Sequence, residues 1–487
     1  MNHLQAGKKC YWPPHDMHLK TKDIVIIGAG PAGLGCTEEL LRNKYAAGQI
    51  IILEKNENPG GLARSFYTGK YFFDLGPHRF YTKNASILTL WKKILGKKLV
   101  SVRRSTHILY KNRLFEYPIK ASDVLWKLEV SELYSCLISY IYARFRYRNS
   151  QPKTFEDWII KHFGKKLYEI FFKTYTEKVW GIPCNRISAK WASQRIRNLN
   201  LLDIIKTALF KRGSDARSLI KEFYYPIQGS GYLYDTWAKR LQRKGVTFIF
   251  NSSVNRVLHD NHKIKRVEYI KNGKTTSVAA KYVFTSMPIT KLADALFPSP
   301  PQDVKKASKT LYYRDHITVN LLIEGPPIFL DQWLYIHDQR VKIARVTNYK
   351  NFVPTTTAFK NMNPISVEYF VFQKDPLWKM QESELFHFAI EELKTIQLIA
   401  EQKIHTMFIK KETESYPVYY LNYEKEYKKI KGYINQFDNL RSIGRAGMYK
   451  YNNMDHSILS GQQSAKSMFN GNARDIDDVN NADEYVE

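Results

Sequence analysis

Residues 23–54 constrain this chain more than any other stretch. Asp23-Ile-Val-Ile-Ile27 is a short β-branched apolar run, suited to a strand covered on both faces. Gly28-Ala-Gly30-Pro31-Ala32-Gly33 follows at once. Leu34–Leu41 then reads as a helix, and Gln49-Ile-Ile-Ile-Leu53 as a second buried strand ending in Glu54. Each glycine has a job in such a turn. Gly28 allows the chain to leave the strand sharply, Gly30 lets backbone N–H groups approach a pyrophosphate, and Gly33 lets the helix pack on the sheet. The helix N-terminus offers free donors and a positive dipole end. Glu54, with Lys55 beside it, stands where a carboxylate can accept ribose hydroxyls. A GxGxxG placed between strand and helix, with a strand-terminal acid, predicts a dinucleotide-binding α/β domain of doubly wound Rossmann type.

Two further segments narrow the cofactor. Asn58-Pro-Gly60-Gly61-Leu62-Ala63-Arg64-Ser65 follows Glu54 without an ordinary helix. Near the other end, Leu440-Arg-Ser-Ile-Gly444-Arg445-Ala-Gly447 leads through Tyr451-Asn-Asn453-Met454-Asp455-His-Ser457 into a helical stretch that reaches Met468. A third piece lies between them: Tyr225-Pro-Ile-Gln-Gly229 before a helix, the strand-like Val246–Phe250, and a meander from Val254 to Pro288 turning at Asn272-Gly273. Together these resemble the FAD-linked amine oxidase, protoporphyrinogen oxidase and sugar-mutase superfamily. The resemblance implies FAD, an arginine (Arg64) against its pyrophosphate, backbone of Val254 at the adenine, and a helix start at Met454–Ser457 beneath the flavin, where a reduced anionic flavin gains from the dipole.

Three segments resemble UDP-galactopyranose mutases within that superfamily, of both the bacterial and the eukaryotic type. Gly76-Pro77-His78-Arg-Phe-Tyr81 is similar to the mutase loop over the flavin, although Arg79 and Tyr81 depart from both types; it makes His78 the expected flavin-side histidine. Phe171-Phe-Lys-Thr-Tyr175-Thr-Glu-Lys-Val-Trp180-Gly continues to Trp191-Ala-Ser-Gln-Arg195 and implies aromatics around the substrate and a diphosphate arginine, Arg195. Trp333-Leu-Tyr335 with Arg345 resembles the eukaryotic-type Tyr and Arg pair on the pyrophosphate, and Tyr416 and Tyr451 match mutase tyrosines. Arg314 is an alternative to Arg345, which we favour. A diphosphate leaving group suits such donors, because guanidinium forks and phenols both hydrogen-bond to phosphate oxygens. The resemblance implies a redox-neutral isomerase interconverting pyranose and furanose nucleotide sugars for cell-surface glycans. Reduced FAD would provide covalent catalysis through N5, primed by NADPH or NADH. The alternative is an FAD oxidoreductase of the protoporphyrinogen oxidase or amine oxidase class, which predicts an apolar pocket where the mutase reading predicts two arginines facing the flavin.

At 487 residues and 44% apolar content, the chain is long enough for two or three domains. The expected division is a leader over 1–22, an FAD domain built from 23–100, 226–300 and 436–472, a mostly helical region over 101–225, a substrate-binding sheet region over 301–435, and an acidic tail over 473–487. Four scattered cysteines fit a reducing cytoplasm and show no metal spacing, so no metal site is expected. No apolar run is long enough to span a membrane. The net charge of +29 suits anionic partners; no nucleic-acid motif accompanies it, whereas a nucleotide sugar, a peripheral membrane contact and a homo-oligomer are all compatible with it. The helical, aromatic segment 122–148 reads as a packing or dimerising surface, because Lys127, Glu129 and Glu132 interrupt it.

Overall fold

The computed structural model describes residues 20–189, 191, 221–353, 359, 361–470 and 479. The expected leader, apart from residues 20–22, and the acidic tail, apart from Val479, lie outside them. So does Arg195.

The first sheet is the one the glycine-rich turn demands. It contains β1 (Lys20–Ile27), β2 (Ile50–Leu53), β9 (Thr247–Ile249), β10 (Ser253–Asp260), β11 (Lys263–Lys271), β12 (Lys274–Thr285), β13 (Leu296–Phe297) and β19 (Leu440–Ser442), in the order β13-β10-β11-β12-β1-β2-β9, with β19 on β12. The pairs β12–β1, β1–β2 and β2–β9 are parallel, and β10–β11–β12 is the antiparallel meander. β1 shows why its sequence is uniformly apolar. Val25 and Ile27 enter one core while Ile24 and Ile26 enter another, so both faces of the strand are covered. β1 starts at Lys20, pairing with Val278, so the ordered sheet begins inside the expected leader. The meander turns at Asn272 (φ 51°) and Gly273 (φ 74°), two left-handed residues as a type I′ turn requires.

The second sheet, in the order β18-β14-β17-β16-β15-β6-β7, comprises β6 (Thr106–Tyr110), β7 (Arg113–Glu116), β14 (Tyr313–Glu324), β15 (Trp333–Ile336), β16 (Arg345–Asn348), β17 (Met362–Val371) and β18 (Ile404–Pro417). Its pairings are antiparallel except β15–β6. Region 101–225 is therefore not helical throughout, since it gives β6 and β7 to this sheet. Two ribbons join the sheets: β3 (Ser65–Thr68) with β4 (Tyr71–Asp74), and β5 (Leu99–Arg103) with β8 (Glu222–Pro226). Asp74 anchors this junction. It is buried and accepts hydrogen bonds from Ser65, the Tyr225 hydroxyl and the Ser230 N–H. Burial outweighs those bonds and pushes its carboxyl up to about 6.

The helices used below are α1 (Pro31–Arg42), α2 (Ala121–Lys127), α3 (Val130–Arg146), α4 (Phe155–Phe163), α5 (Thr174–Trp180), α6 (Gly231–Arg243) and α7 (Met454–Asn470). A Thr154–Asp157 capping box starts α4. α1 and α7 cross in close contact: a Cβ on Gly461 would stand 2.0 Å from the Ala32 carbonyl oxygen. The two ends of the described chain thus complete one another.

Candidate active site

The β1–α1 turn is shaped by what its glycines leave out. Gly28 sits at φ +102°, and a Cβ there would lie 2.1 Å from Ser286 Oγ. A Cβ on Gly33 would lie 2.0 Å from the Gly28 carbonyl oxygen, which explains why the helix can spring so tightly from the strand. No side chain caps α1, so its first N–H groups are available to an anion. Glu54 is buried at the end of β2. One oxygen accepts the Ala29 N–H at 2.7 Å, and the other accepts the Asn56 N–H and side-chain amide at 2.9 and 2.8 Å.

These groups open onto a cavity of about 370 Å³, within the size range of cofactor sites. Gly28, Gly30, Pro31, Ala32, Glu54, Lys55, Gly61, Leu62, Ala63, Arg64, Gly76, Pro77, His78, Val254, Gly444, Arg445, Asn453, Met454, Asp455 and Ser457 all line it. Gly33 and Gly60 stand behind it, Gly60 bonding through its N–H to Ala29 O. A bare helix N-terminus, a strand-terminal acid and a glycine-lined wall meeting at one cavity fit an FAD. Four arginines and two lysines face four carboxylates around the wall, so its balance favours a diphosphate. Arg64 is less available than its motif implies, because it donates to Gly61 O and to buried Glu412.

The other end of the cavity is made by side chains. Trp333, Tyr335, Arg345, Tyr416 and Tyr451 line it together with His78 and Arg445. Arg345 is clamped by Glu368, donating from Nε at 2.8 Å and from Nη2 to the second oxygen. Glu368 is fully buried and also accepts from Thr347 Oγ1 and pairs with His316 Nε2, each at 3.1 Å. Burial works against its charge, but Arg345 and His316 prevail and hold the carboxyl down at about 2. Arg345 correspondingly stays a cation despite burial. Its Nη1 has no partner among the described residues and remains for a ligand. Gly76 makes the contact possible: at φ +105°, a Cβ there would meet Glu368 Oε2 at 2.7 Å. Arg445 lies 5.1 Å from the Tyr416 ring and 4.5 Å from the Tyr451 ring, with Nε donating to Asn452 O. His78 Nδ1 is 3.0 Å from Gly76 O. Burial first, then Arg445 and Arg345, lower its pKa to about 3, so the ring is neutral near pH 7.

Three expected substrate residues do not line this cavity. Tyr175 and Trp180 line a second one, of about 550 Å³, which shares Tyr335, Arg345 and Tyr451 with the first. Tyr175 stacks on His337 at 5.1 Å, and Trp180 packs on Trp191 and Tyr419. Arg314 is a correction. It is buried and spends its guanidinium on carbonyls of Val179, Lys178 and Phe370, with Asp375 3.7 Å away. Its physical role is to satisfy carbonyls left open at the C-terminus of α5. Neighbouring Lys178 braces the same helix, donating to Ile336, Asp338 and Ile343 carbonyls at 3.1, 2.7 and 2.9 Å. Burial lowers its pKa to about 8.

Glu368 is the residue sequence reasoning missed. Its signal was present, because a lone carboxylate inside the almost wholly buried, mainly apolar run of β17 requires a buried partner. Lys291, Glu412 and Glu414 also line the first cavity without any motif to announce them.

The sequence profile of the family described as flavin containing amine oxidoreductase matches residues 31–468. The Klebsiella pneumoniae protein named "Probable UDP-galactopyranose mutase" is 26% identical over 182 residues, 35% of this chain and 44% of its own length. A UDP-galactopyranose mutase of Mycoplasma genitalium is 22% identical over 271 residues, 52% of this chain and 59% of its own. The chain thus matches about half the length of these curated relatives. Among solved structures, a reduced UDP-galactopyranose mutase superposes with TM-score 0.83 at 20% identity, covering 96% of this chain and all of the other. A putrescine oxidase bound to putrescine superposes with TM-score 0.62 at 13% identity, covering 92% and 99%. At such identities the superpositions establish the fold.

Proposed function

The chain belongs to the flavin-containing amine oxidoreductase family, and from that premise we propose that it is an FAD-dependent nucleotide-sugar mutase. It interconverts pyranose and furanose forms of UDP-galactose or a close relative, for cell-surface glycan synthesis. The observation that carries this reading is the Arg345–Glu368 clamp beside Arg445, which puts two arginines at the His78 end of the cavity. Two guanidinium groups there attract a diphosphate and repel a cationic amine.

The α1 N-terminus would hold the pyrophosphate of FAD, Glu54 its ribose, Val254 its adenine, and the start of α7 its flavin. When bound and reduced by NADPH or NADH, FAD supplies a nucleophile, N5, for the anomeric carbon. The chain's own residues do the rest. Arg345, Arg445, Tyr335, Tyr416 and Tyr451 donate to the departing diphosphate, whose charge grows as the bond to the sugar breaks. The Glu368 clamp fixes Arg345 in advance, so no reorganisation is needed at that moment. Neutral His78 donates through Nδ1 to Gly76 O and keeps Nε2 as an acceptor.

The test is anaerobic reduction with dithionite, incubation with UDP-galactose and UDP-galactofuranose, and chromatography of the products. Interconversion only in the reduced state is expected. The second cavity, lined by Leu167, Phe171, Phe172 and Val179, is the observation that favours a flavin oxidoreductase instead. Reduction of the oxidised flavin coupled to oxidation of an apolar amine, without interconversion of any nucleotide sugar, would establish that alternative.

A further inference from the structure

We propose that the outer face of α2 and α3 is a docking surface for an anionic lipid membrane. This goes beyond the mutase reading and does not depend on it. α3 buries Cys136, Tyr140 and Ala143 against the rest of the protein, at spacings of four and three. Its opposite side carries Tyr134, Leu137, Ile138, Ile141 and Phe145 at the same helical spacing, and all are exposed. Trp126, Val130 and Phe145 are 87%, 84% and 82% exposed, values normally reserved for polar side chains. A contiguous apolar stripe of this kind marks an interaction surface. Among the described residues no helix is long and apolar enough to cross a membrane. An apolar stripe on a helix with basic flanks instead suits a helix lying in the interface.

Charge decides the occupant. The acidic residues of 111–148 are all engaged: Glu129 and Glu132 with Lys111, Glu116 with Lys120, and Asp123 with Lys127. Arg144, Arg146 and Arg148 have no carboxylate partner among the described residues. At about 100° per residue, Arg144 and Arg146 fall on opposite flanks of the stripe. A second copy of this chain fits poorly. Antiparallel pairing would lay these arginines beside acids already held by Lys111, and parallel pairing would set arginine against arginine. Anionic headgroups satisfy all three arginines, and the net charge of +29 adds long-range attraction. Trp126, Tyr134 and Tyr142 are the aromatic types that favour the headgroup boundary. The surface is also placed to matter, because Leu125, Val130, Tyr134 and Leu137 line the second cavity, which contains Tyr335 and Arg345.

The experiment uses the full flavin-loaded chain and sedimentation with vesicles of phosphatidylcholine alone or with phosphatidylglycerol. Binding to the anionic vesicles is expected, weakening as salt rises. The double variant Trp126→Glu, Phe145→Glu should lose about tenfold or more in partitioning, with flavin content and melting temperature unchanged. Arg144→Glu with Arg146→Glu should weaken binding to the anionic vesicles and make its salt dependence shallower. Brominated lipid should quench a tryptophan signal that disappears in Trp126→Phe. The proposal is overturned if the wild type stays in the supernatant at low salt, if the variants sediment like it, if lipid leaves Trp126 unquenched, or if ultracentrifugation shows a dimer that Phe145→Glu splits.

Discussion

The two ends of the first cavity grip in different ways. The cradle at Gly28–Gly33 is made of backbone, and it works through absent side chains and unclaimed N–H groups. The end at Arg345 is made of side chains drawn from strands β14 to β18, the short helix Gly444–Gly447 and two loops, and it works through a buried charge held in place by another. Backbone binding is fixed by local geometry, and any added atom ruins it. Side-chain binding is fixed by pairing, and what ruins it is the loss of a partner. One end therefore tolerates no gain, the other no loss.

Gly28→Val is the harshest way to break this comparison. Its Cβ would overlap Ser286, and φ +102° is forbidden to a β-branched residue, so the protein should be isolated without flavin, as absorbance of the denatured extract would report. Glu368→Ala comes next. It strands a buried guanidinium and should cost about 3–5 kcal/mol in urea unfolding. Arg345→Met combined with Glu368→Leu sharpens the point. That pair should recover most of the stability while leaving turnover abolished, and recovered turnover would show that the clamp serves only the fold. Arg345→Lys keeps the charge but loses the fork. It should lower kcat by about 10²–10³-fold with flavin content intact.

The smallest effect concerns pH. His78 has a pKa lowered from 6.5 to about 3, so folding favours its neutral form. That contribution is full above pH 6.5 and is lost as pH falls toward 3. His78→Gln should flatten stability in this window, by on the order of 1 kcal/mol for a half-buried ring screened by solvent. An unchanged acid limb in the difference between wild type and variant would sink the assignment.

The same contrast explains what could be read in the sequence. The cradle lies within residues 23–54, where strand, turn, helix and acid follow in order, so local patterning sufficed. Arg345 was reached through its motif, yet Glu368 was not, although the two are direct partners across β16 and β17. Strand register joins them, and register leaves no mark in a linear reading. Arg314 misled because Tyr-Arg looks the same whether the arginine meets a ligand or a helix end. A register shift in β14–β18 between Arg314 and His316 and the open carbonyls of α5 decide the matter. The Tyr175–Trp180 string was recognisable, but much of it is bracing. Lys178 ties α5 to the connection between Tyr335 and Arg345.

The crossing of α1 and α7 bears on when this protein can become a flavoprotein. α1 is made early, and the helix that packs on it follows roughly 400 residues later. Until Gly461 has closed against Ala32, the start of α7 is missing from the cavity and nothing covers that side of the cofactor. During synthesis at about 5–20 residues per second the cradle waits, half built, for tens of seconds. Retained flavin is thus a certificate that translation has passed residue 461, and a chain cut short before it should emerge colourless.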